Sequence, residues 1–364
     1  MPGNLVNLAQ ILLIYASVLG IALLVPKRRF LGLTLFSVFI ILSMSLNLLE
    51  EIGPLKKIWL VTPALLLLKG PLYYLVVYTM VSTAPNLPKG YWLHLIPSIV
   101  SILLTAWPQW IIAVATVSQI IYLYYAAKLI KVYQTTTENH RSDAIDLTLN
   151  WVRAVLFTLA ILAIYDLTRL NLQPYITAAT NTNGQLIGTV MGLLVYSYLL
   201  VKALKQPSYY SGLTDHSAKA EQRSKEYKHS AQIQEADGQV GTTDTDKSHY
   251  QTLFQEIEKT IVAERLYLKP RLSLADVANA TGFLTRDISI AINRTANQNF
   301  NDYINLFRIN AIKQELNQRD SANINLLDIA LEHGFNSKSS FNQVFKRLSG
   351  TTPKAFIDSI AKPN

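Results

Sequence analysis

Leu274-Ala275-Asp276-Val277-Ala278-Asn279-Ala280-Thr281-Gly282-Phe283 has a counterpart fifty-two positions later, Leu326-Leu327-Asp328-Ile329-Ala330-Leu331-Glu332-His333-Gly334-Phe335. Leu, Asp, Ala, Gly and Phe coincide. A small residue four before a glycine suits two helices joined by a tight turn, because the alanine lets the second helix cross closely and the glycine permits the turn. One copy alone says little, since all-helical folds that never touch nucleic acid contain the same geometry. Two copies on one chain predict a pair of helix-turn-helix units.

The helices that follow each turn carry the chemistry. In the first unit Thr285 reads as the cap of the second helix. Ile288, Ala291 and Ile292 then form its inward face, leaving Arg286, Ser289, Ile290 and Asn293 outward. In the second unit Ser337 reads as the cap, with Phe341, Val344, Phe345 and Leu348 inward and Lys338, Ser339, Asn342, Gln343 and Lys346 outward. Arg and Lys can pair with guanine, Asn and Gln with adenine, and an isoleucine can pack on a thymine methyl. Arg347 is expected to contact phosphate, which carries no sequence information. Between the units Phe300, Tyr303, Ile304, Phe307 and Ala311 trace one face of a long helix that would fix the distance between the readers. Two readers on one bar can address successive major-groove segments about 34 Å apart. A Tyr250, Leu253, Ile257, Ile261 stripe opens this region as an amphipathic helix.

From about Leu266 to Phe356, about a quarter of the chain, the sequence resembles the DNA-binding domain of AraC/XylS-type bacterial transcription regulators. The resemblance is carried by Asp328, Ile329, Ala330 through Gly334, Phe335, Asn336, Ser337, Lys338, Ser339, Ser340 and Phe341, with Phe345, Lys346, Arg347, Gly350 and Pro353 following. Leu272 to Ala278, Ile292-Asn293-Arg294, Asn299 to Asn305 and Arg308 support it. It implies a seven-helix domain with two recognition helices, whose base-contacting positions map onto Arg286, Ser289 and Ile290 and onto Lys338, Ser339, Asn342 and Gln343. Ile290 departs from the family, where a polar or basic residue is more common. So does the stretch Ile357 to Ile360, where an arginine often follows.

The rest of the chain is made for lipid. Of 364 residues 50% are hydrophobic and only 16% charged, and almost all of that skew lies before residue 205. The net charge of +9 suits nucleic acid or anionic lipid equally. Having no cysteine, the chain cannot form disulfides, thiolate zinc sites or cysteine nucleophiles, and its six scattered histidines show no metal-ligand spacing. We expect no cofactor and no enzyme activity. Apolar runs of about twenty residues, the length that crosses a bilayer, read as Leu5 to Val25, Phe30 to Leu49, Ile58 to Val81, Tyr91 to Trp107, Trp110 to Ile130, Trp151 to Leu170 and Gln185 to Ala203. The first is not read as a cleaved signal peptide, because its basic residues follow the apolar run and no small-residue cleavage site does. With an outside N-terminus the inner segments hold Lys27, Arg28, Arg29, Lys89, Lys128, Lys131, Arg141, Lys202 and Lys205, and the outer ones only Lys56, Lys57 and Arg169. Nine against three places the C-terminus in the cytoplasm. Tyr91, Trp92, Trp107, Trp110 and Trp151 sit at span ends, as interfacial aromatics should.

Residues 206–247 are rich in Ser, Thr, Gln, Asp, Lys and Gly, a composition that cannot offset chain entropy by burial and reads as a flexible linker. Charges inside spans are the remaining pointers, since burying one in hydrocarbon is costly. Lys69, beside Gly70 and Pro71, is read either as a signal-sensing group or as a packed charge. His94 is read as sensing or interfacial, and Asp166 with Arg169 as an ion pair. A loose Lys69-Gly70-Pro71-Leu72-Tyr73-Tyr74 and His94, Pro97 pattern is similar to bacterial regulators in which a multi-span domain replaces the soluble ligand-binding domain.

The expected protein is all-α: a seven-helix transmembrane bundle over 1–205, the linker, and a soluble domain over 248–364 with two helix-turn-helix units. It would be a one-component regulator in the bacterial inner membrane, sensing an unidentified small-molecule or membrane signal and binding double-stranded promoter DNA. RNA polymerase, the lipid bilayer and a second copy of the chain are its other expected partners. The signal is expected to act by changing association of the membrane domains, because a flexible linker cannot transmit a rotation. A transporter or membrane enzyme with a regulatory tail, and a passive anchor on a regulator, are the rival readings.

Overall fold

The computed structural model describes residues 5–52, 61–82, 87–104, 107–205, 244–318 and 325–361, and every regular element among them is helical. Two compact units are formed: Met1–Tyr133 with Leu149–Asp215, and Gln134–Thr148 with His216–Asn364. Lys56, Lys57 and the linker up to residue 243 lie outside the described residues.

The first unit contains α1 (Leu5–Leu24), α2 (Leu31–Ile52), α3 (Thr62–Val81), α4 (Ile96–Ser101), most of α5 (Pro108–His140), α6 (Asn150–Leu172) and α7 (Ala178–Lys205). Helix α1 stops just before Pro26, which disfavours helical backbone at the residue preceding it. Pro108 begins α5, where its missing N–H costs nothing. Helix α1 packs on α2 and α7, α2 on α3, and α6 on α7. Phe30, Leu33, Tyr73, Val77, Ile130 and Leu200 lie in the shared core. Tyr196 meets Ser37 through a 2.7 Å hydroxyl contact, so a polar pair joins α7 to α2 inside the apolar bundle. Large apolar side chains such as Ile11, Leu12, Trp110, Val114, Val117, Phe157 and Leu194 stand exposed on the outer faces.

Among the described residues six helices are long and apolar enough to cross a membrane: those containing α1, α2, α3, α5, α6 and α7. The expected fourth span, Tyr91 to Trp107, differs. It is a succession of short pieces, Tyr91–Leu95 and Ile102–Leu104 in 3-10 form around α4. Even as continuous α-helix, Tyr91–Leu104 would cover roughly 20 Å, against the about 30 Å of a hydrocarbon core. Pro97 at the start of α4 and the positive-φ Gly90 before the segment explain the interruption.

The second unit is built on two small cores joined by one helix. Helix α8 (Asp244–Ala263) begins four residues inside the stretch read as linker and buries Leu253, Ile257 and Ile261 as its stripe predicts. With α9 (Leu274–Thr281), α10 (Thr285–Ala291) and the first half of α11 (Phe300–Gln318) it encloses Val277, Ile288, Ile292, Phe300 and Ile304. The second half of α11 packs with α12 (Leu326–Glu332), α13 (Lys338–Ser349) and α14 (Pro353–Ala361) around Ile309, Ile312, Leu316, Ile329 and Val344. Phe335, Phe341, Phe345 and Phe356 meet edge to face in a chain, with successive centroids 5.4, 5.6 and 5.7 Å apart. The single apolar face expected for α11 is therefore too simple. Phe300, Tyr303 and Ile304 are buried, but Phe307 and Ala311 only half so, because the helix serves a different core in each half.

Candidate DNA-binding surface

Both repeated decapeptides form a helix and a tight turn before a second helix. Helix α9 is closed at its start by a reciprocal cap that the sequence reading missed: Asp276 N–H donates to Ser273 Oγ (3.3 Å) and Ser273 N–H to Asp276 Oδ2 (2.8 Å). A serine three before an acid was the available signal. Burial pushes the Asp276 pKa up, but hydrogen bonds from Lys269 Nζ at 2.6 Å and from Ser273 outweigh it and hold the carboxyl below its usual value. Gly282 ends α9 with φ 76°, and Gly334 ends the α12 turn with φ 81°.

On α10 the inward residues Ile288, Ala291 and Ile292 are fully buried, as periodicity predicts. Arg286 and Asn293 are exposed and Ser289 and Ile290 half-buried. Thr285 is not the cap: it is the first residue of α10, and the cap position falls to Leu284, whose extended backbone (φ −71°, ψ 140°) has no side-chain hydrogen bond to offer. Beyond Ala291 the chain makes one π turn, Ile292–Ala296, and Asn293 in it keeps its amide 3.4 Å from Ser289 Oγ, so the two stay on one face.

On α13 Ser337 does cap, its Oγ accepting from Ser340 N–H at 3.1 Å. Phe341, Val344 and Phe345 are buried, whereas Lys338, Ser339, Asn342, Gln343, Lys346 and Arg347 are exposed. Gln343 Nε2 lies 3.4 Å from Ser339 Oγ. Arg347 is turned toward α11, with Nη1 2.5 Å from Asp302 Oδ1 and Nη2 donating to Asn301 Oδ1 at 3.3 Å. It ties the second helix pair to the connecting helix.

Sequence reasoning also missed a polar face on α11. Asn301, Asn305 and Arg308 recur at intervals of four and three, and all three are buried. Arg308, 1% exposed, donates to the carbonyls of Tyr267 (2.7 Å) and Lys269 (2.8 Å), to Asn305 Oδ1 (3.2 Å) and to Ser142 Oγ (3.1 Å). Burial lowers its pKa to about 10, opposed by Asp143 and Asp146, so it stays protonated at neutral pH. The amides of Asn301 (2.8 Å) and Asn305 (3.0 Å) both donate to the Ser142 carbonyl. The signal was three polar residues at helical spacing, Asn301, Asn305 and Arg308, alongside the apolar positions of the helix.

In the first unit the two candidate sensing residues are not brought together. His94 Nδ1 lies 2.6 Å from Tyr122 OH, and both line an open cavity of about 720 Å³ with Tyr74, Trp110, Ser118 and Tyr125. Lys69 is half-buried on α3 and is not among the lining residues. Next to it Gly70 faces α5 so closely that a Cβ would stand 3.2 Å from Gln119 Cα. Asp166 and Arg169 do pair, at 3.7 Å, and Arg169 also donates to Asn181 Oδ1 at 2.8 Å.

Residues 284–359, spanning the turn helix α10 through α14, match the family described as a helix-turn-helix domain. The class follows: the C-terminal region carries a helix-turn-helix domain similar to those of DNA-binding transcription regulators. More particularly, it is a helix-turn-helix domain of the AraC/XylS type, on a chain whose N-terminal helices are compatible with a membrane domain. The HTH-type transcriptional activator AarP of Providencia stuartii is 28% identical over 112 residues, which cover 29% of this chain and 81% of that activator. An uncharacterised HTH-type transcriptional regulator of Staphylococcus aureus (strain COL) is 30% identical over 91 residues, 25% of this chain, and a counterpart from strain MSSA476 matches equally. The match spans only 12% of the length of these staphylococcal relatives. No solved structure matches the chain.

Proposed function

We propose that this protein is a membrane-bound one-component transcription regulator, in which the N-terminal helices sense a signal and both helix pairs of the C-terminal unit read promoter DNA. The observation that carries the reading is the repeat itself. Each copy places a second helix with a buried apolar face and an exposed polar or basic one in the same compact unit, behind six helices long enough to cross a bilayer.

In this reading Arg286, Ser289, Ile290 and Asn293 face one major-groove segment, and Lys338, Ser339, Asn342, Gln343 and Lys346 the next. Arg347 steadies α13 and adds a phosphate contact. The N-terminus lies outside and the C-terminus in the cytoplasm of a bacterial inner membrane. That orientation needs Tyr91–Leu104 to cross, and the charges favour it. If the segment did not cross, Lys27, Arg28, Arg29, Lys89 and Arg169 would face outward against seven inside, a weaker asymmetry than nine to three. The cavity beside His94, walled by aromatic rings, supports an apolar signal molecule, and Lys69 supports a response within α3. A second copy and RNA polymerase are the protein partners.

The test is selection of duplexes from a random pool by the detergent-solubilised full chain, repeated with single substitutions. Arg286→Ala, Lys338→Ala and Gln343→Ala should each relax preference at particular base positions, by about 1 to 3 kcal/mol for a good bidentate pair. Arg347→Ala should weaken binding to all sequences alike. If Arg347→Ala shifted the preferred site while Lys338→Ala did not, the assignment of the α13 face would be wrong.

A further inference from the structure

We infer that the end of α5 and the connection from it to α6, together Gln134–Thr148, are a built-in ligand of the DNA-binding unit: seated in the seam between the two helix pairs, this segment holds both readers in their DNA-competent arrangement. The inference rests on the DNA-binding reading above and adds how the membrane helices reach the readers.

Three separate parts of the unit grip this one short segment. Before the first helix pair, Arg141 and Ser273 form an antiparallel bridge and Ser142 N–H donates to the Leu272 carbonyl at 2.9 Å. On the connecting helix, Asn301, Asn305 and Arg308 all direct hydrogen bonds at Arg141 or Ser142. At the start of the second reader, Asn336 Nδ2 donates to Asp146 Oδ2 (3.3 Å) and Ser337 Oγ to Asp146 Oδ1 (3.5 Å), while Ile145 packs against the second core. Ser142 and Asp143 are 2% and 3% exposed. A segment this buried, with its polar groups matched, is part of the interior of the unit. Removing it would strip partners from Asn301, Asn305 and Arg308, and orphaned buried polar groups are costly.

The seated segment leaves the reading faces open. Among the described residues, Arg286, Ser289, Ile290, Lys338, Ser339, Asn342 and Gln343 make no hydrogen bond to it. Through Asp146 it instead grips the residues that precede α13, and through Leu272 and Ser273 the residues that precede α9. It therefore bears on how the two helix pairs are set about α11. The same segment continues α5 and leads into α6, both read as membrane spans, so a shift of either helix acts on the seam directly. The stretch read from composition as a linker is not on this route.

The experiment uses the full chain in lipid nanodiscs and a duplex selected by the wild-type protein. Replacing residues 142–146 with Gly-Ser-Gly-Ser-Gly leaves every proposed base reader in place, and should weaken binding to the selected tandem site about tenfold, with non-specific duplex changed less than about twofold. Asp146→Cys with Asn336→Cys supplies the second measurement, in a chain that has no cysteine of its own. The pair should cross-link in membranes, and the cross-linked protein should bind the selected duplex like the wild type. Wild-type affinity in the Gly/Ser variant, absence of cross-linking, or loss of DNA binding on cross-linking would each overturn the inference. Failure of the DNA-binding reading is recognised separately, because the wild-type chain would then select no duplex at all.

Discussion

Gly282 and Gly334 occupy the same place in the two repeated decapeptides, yet they are not equally replaceable. Both hold positive φ, which costs an L-residue about 1 to 2 kcal/mol. A Cβ on Gly282 would meet nothing within 4 Å, whereas one on Gly334 would stand 2.7 Å from the Leu268 carbonyl oxygen. Gly282→Ala should therefore cost about 1 to 2 kcal/mol, and Gly334→Ala clearly more, because backbone must also move. Hydrogen exchange of the helices α10 and α13 in the two variants measures the difference, and equal loosening would show that the close approach at Leu268 is relieved cheaply. The glycines and their spacing are legible in the sequence. Their inequality is not, since it depends on Leu268, which lies far from Gly334 along the chain.

Among the elements, α11 and the linker divide the work of joining. The apolar positions of α11 predict a stiff bar, and they undervalue its polar face because Asn301, Asn305 and Arg308 find their partners near Ser142, some 160 residues earlier in the chain. No local pattern announces a partner so distant. The linker, by contrast, is expected to set only proximity, since effective concentration falls with about the three-halves power of length. Inserting ten Gly/Ser residues beside Gly238 should leave promoter output and its response to growth conditions close to wild type. Loss of the response with DNA binding intact would make the linker a stiff transmitter and discard both other routes, the seam and the association of membrane domains.

For the whole molecule the decisive question is the parity of the spans. The segment Tyr91–Leu104 is shorter than the other six, and whether it crosses sets which side receives the N-terminus. Counting back from a cytoplasmic C-terminus, reporter fusions after Val81, Trp107 and Lys205 are expected to report inside, outside and inside if seven spans are made, and outside, outside and inside if Tyr91–Leu104 does not cross. The expected result is the first, so the Val81 fusion discriminates. A periplasmic signal from the Lys205 fusion would remove the membrane-regulator reading altogether.

The sequence by itself determined the elements and their class. Apolar runs of bilayer length, the repeated turn and the buried faces of α10 and α13 follow from local periodicity and backbone preference, which neighbouring residues suffice to express. The tertiary structure alone decided that Gln134–Thr148 belongs with the C-terminal unit, that Arg308 is buried beside Ser142, and that Arg347 turns to Asp302. Those outcomes depend on which distant polar groups meet once water is excluded, and polar partners so far apart along the chain leave no periodic trace in it.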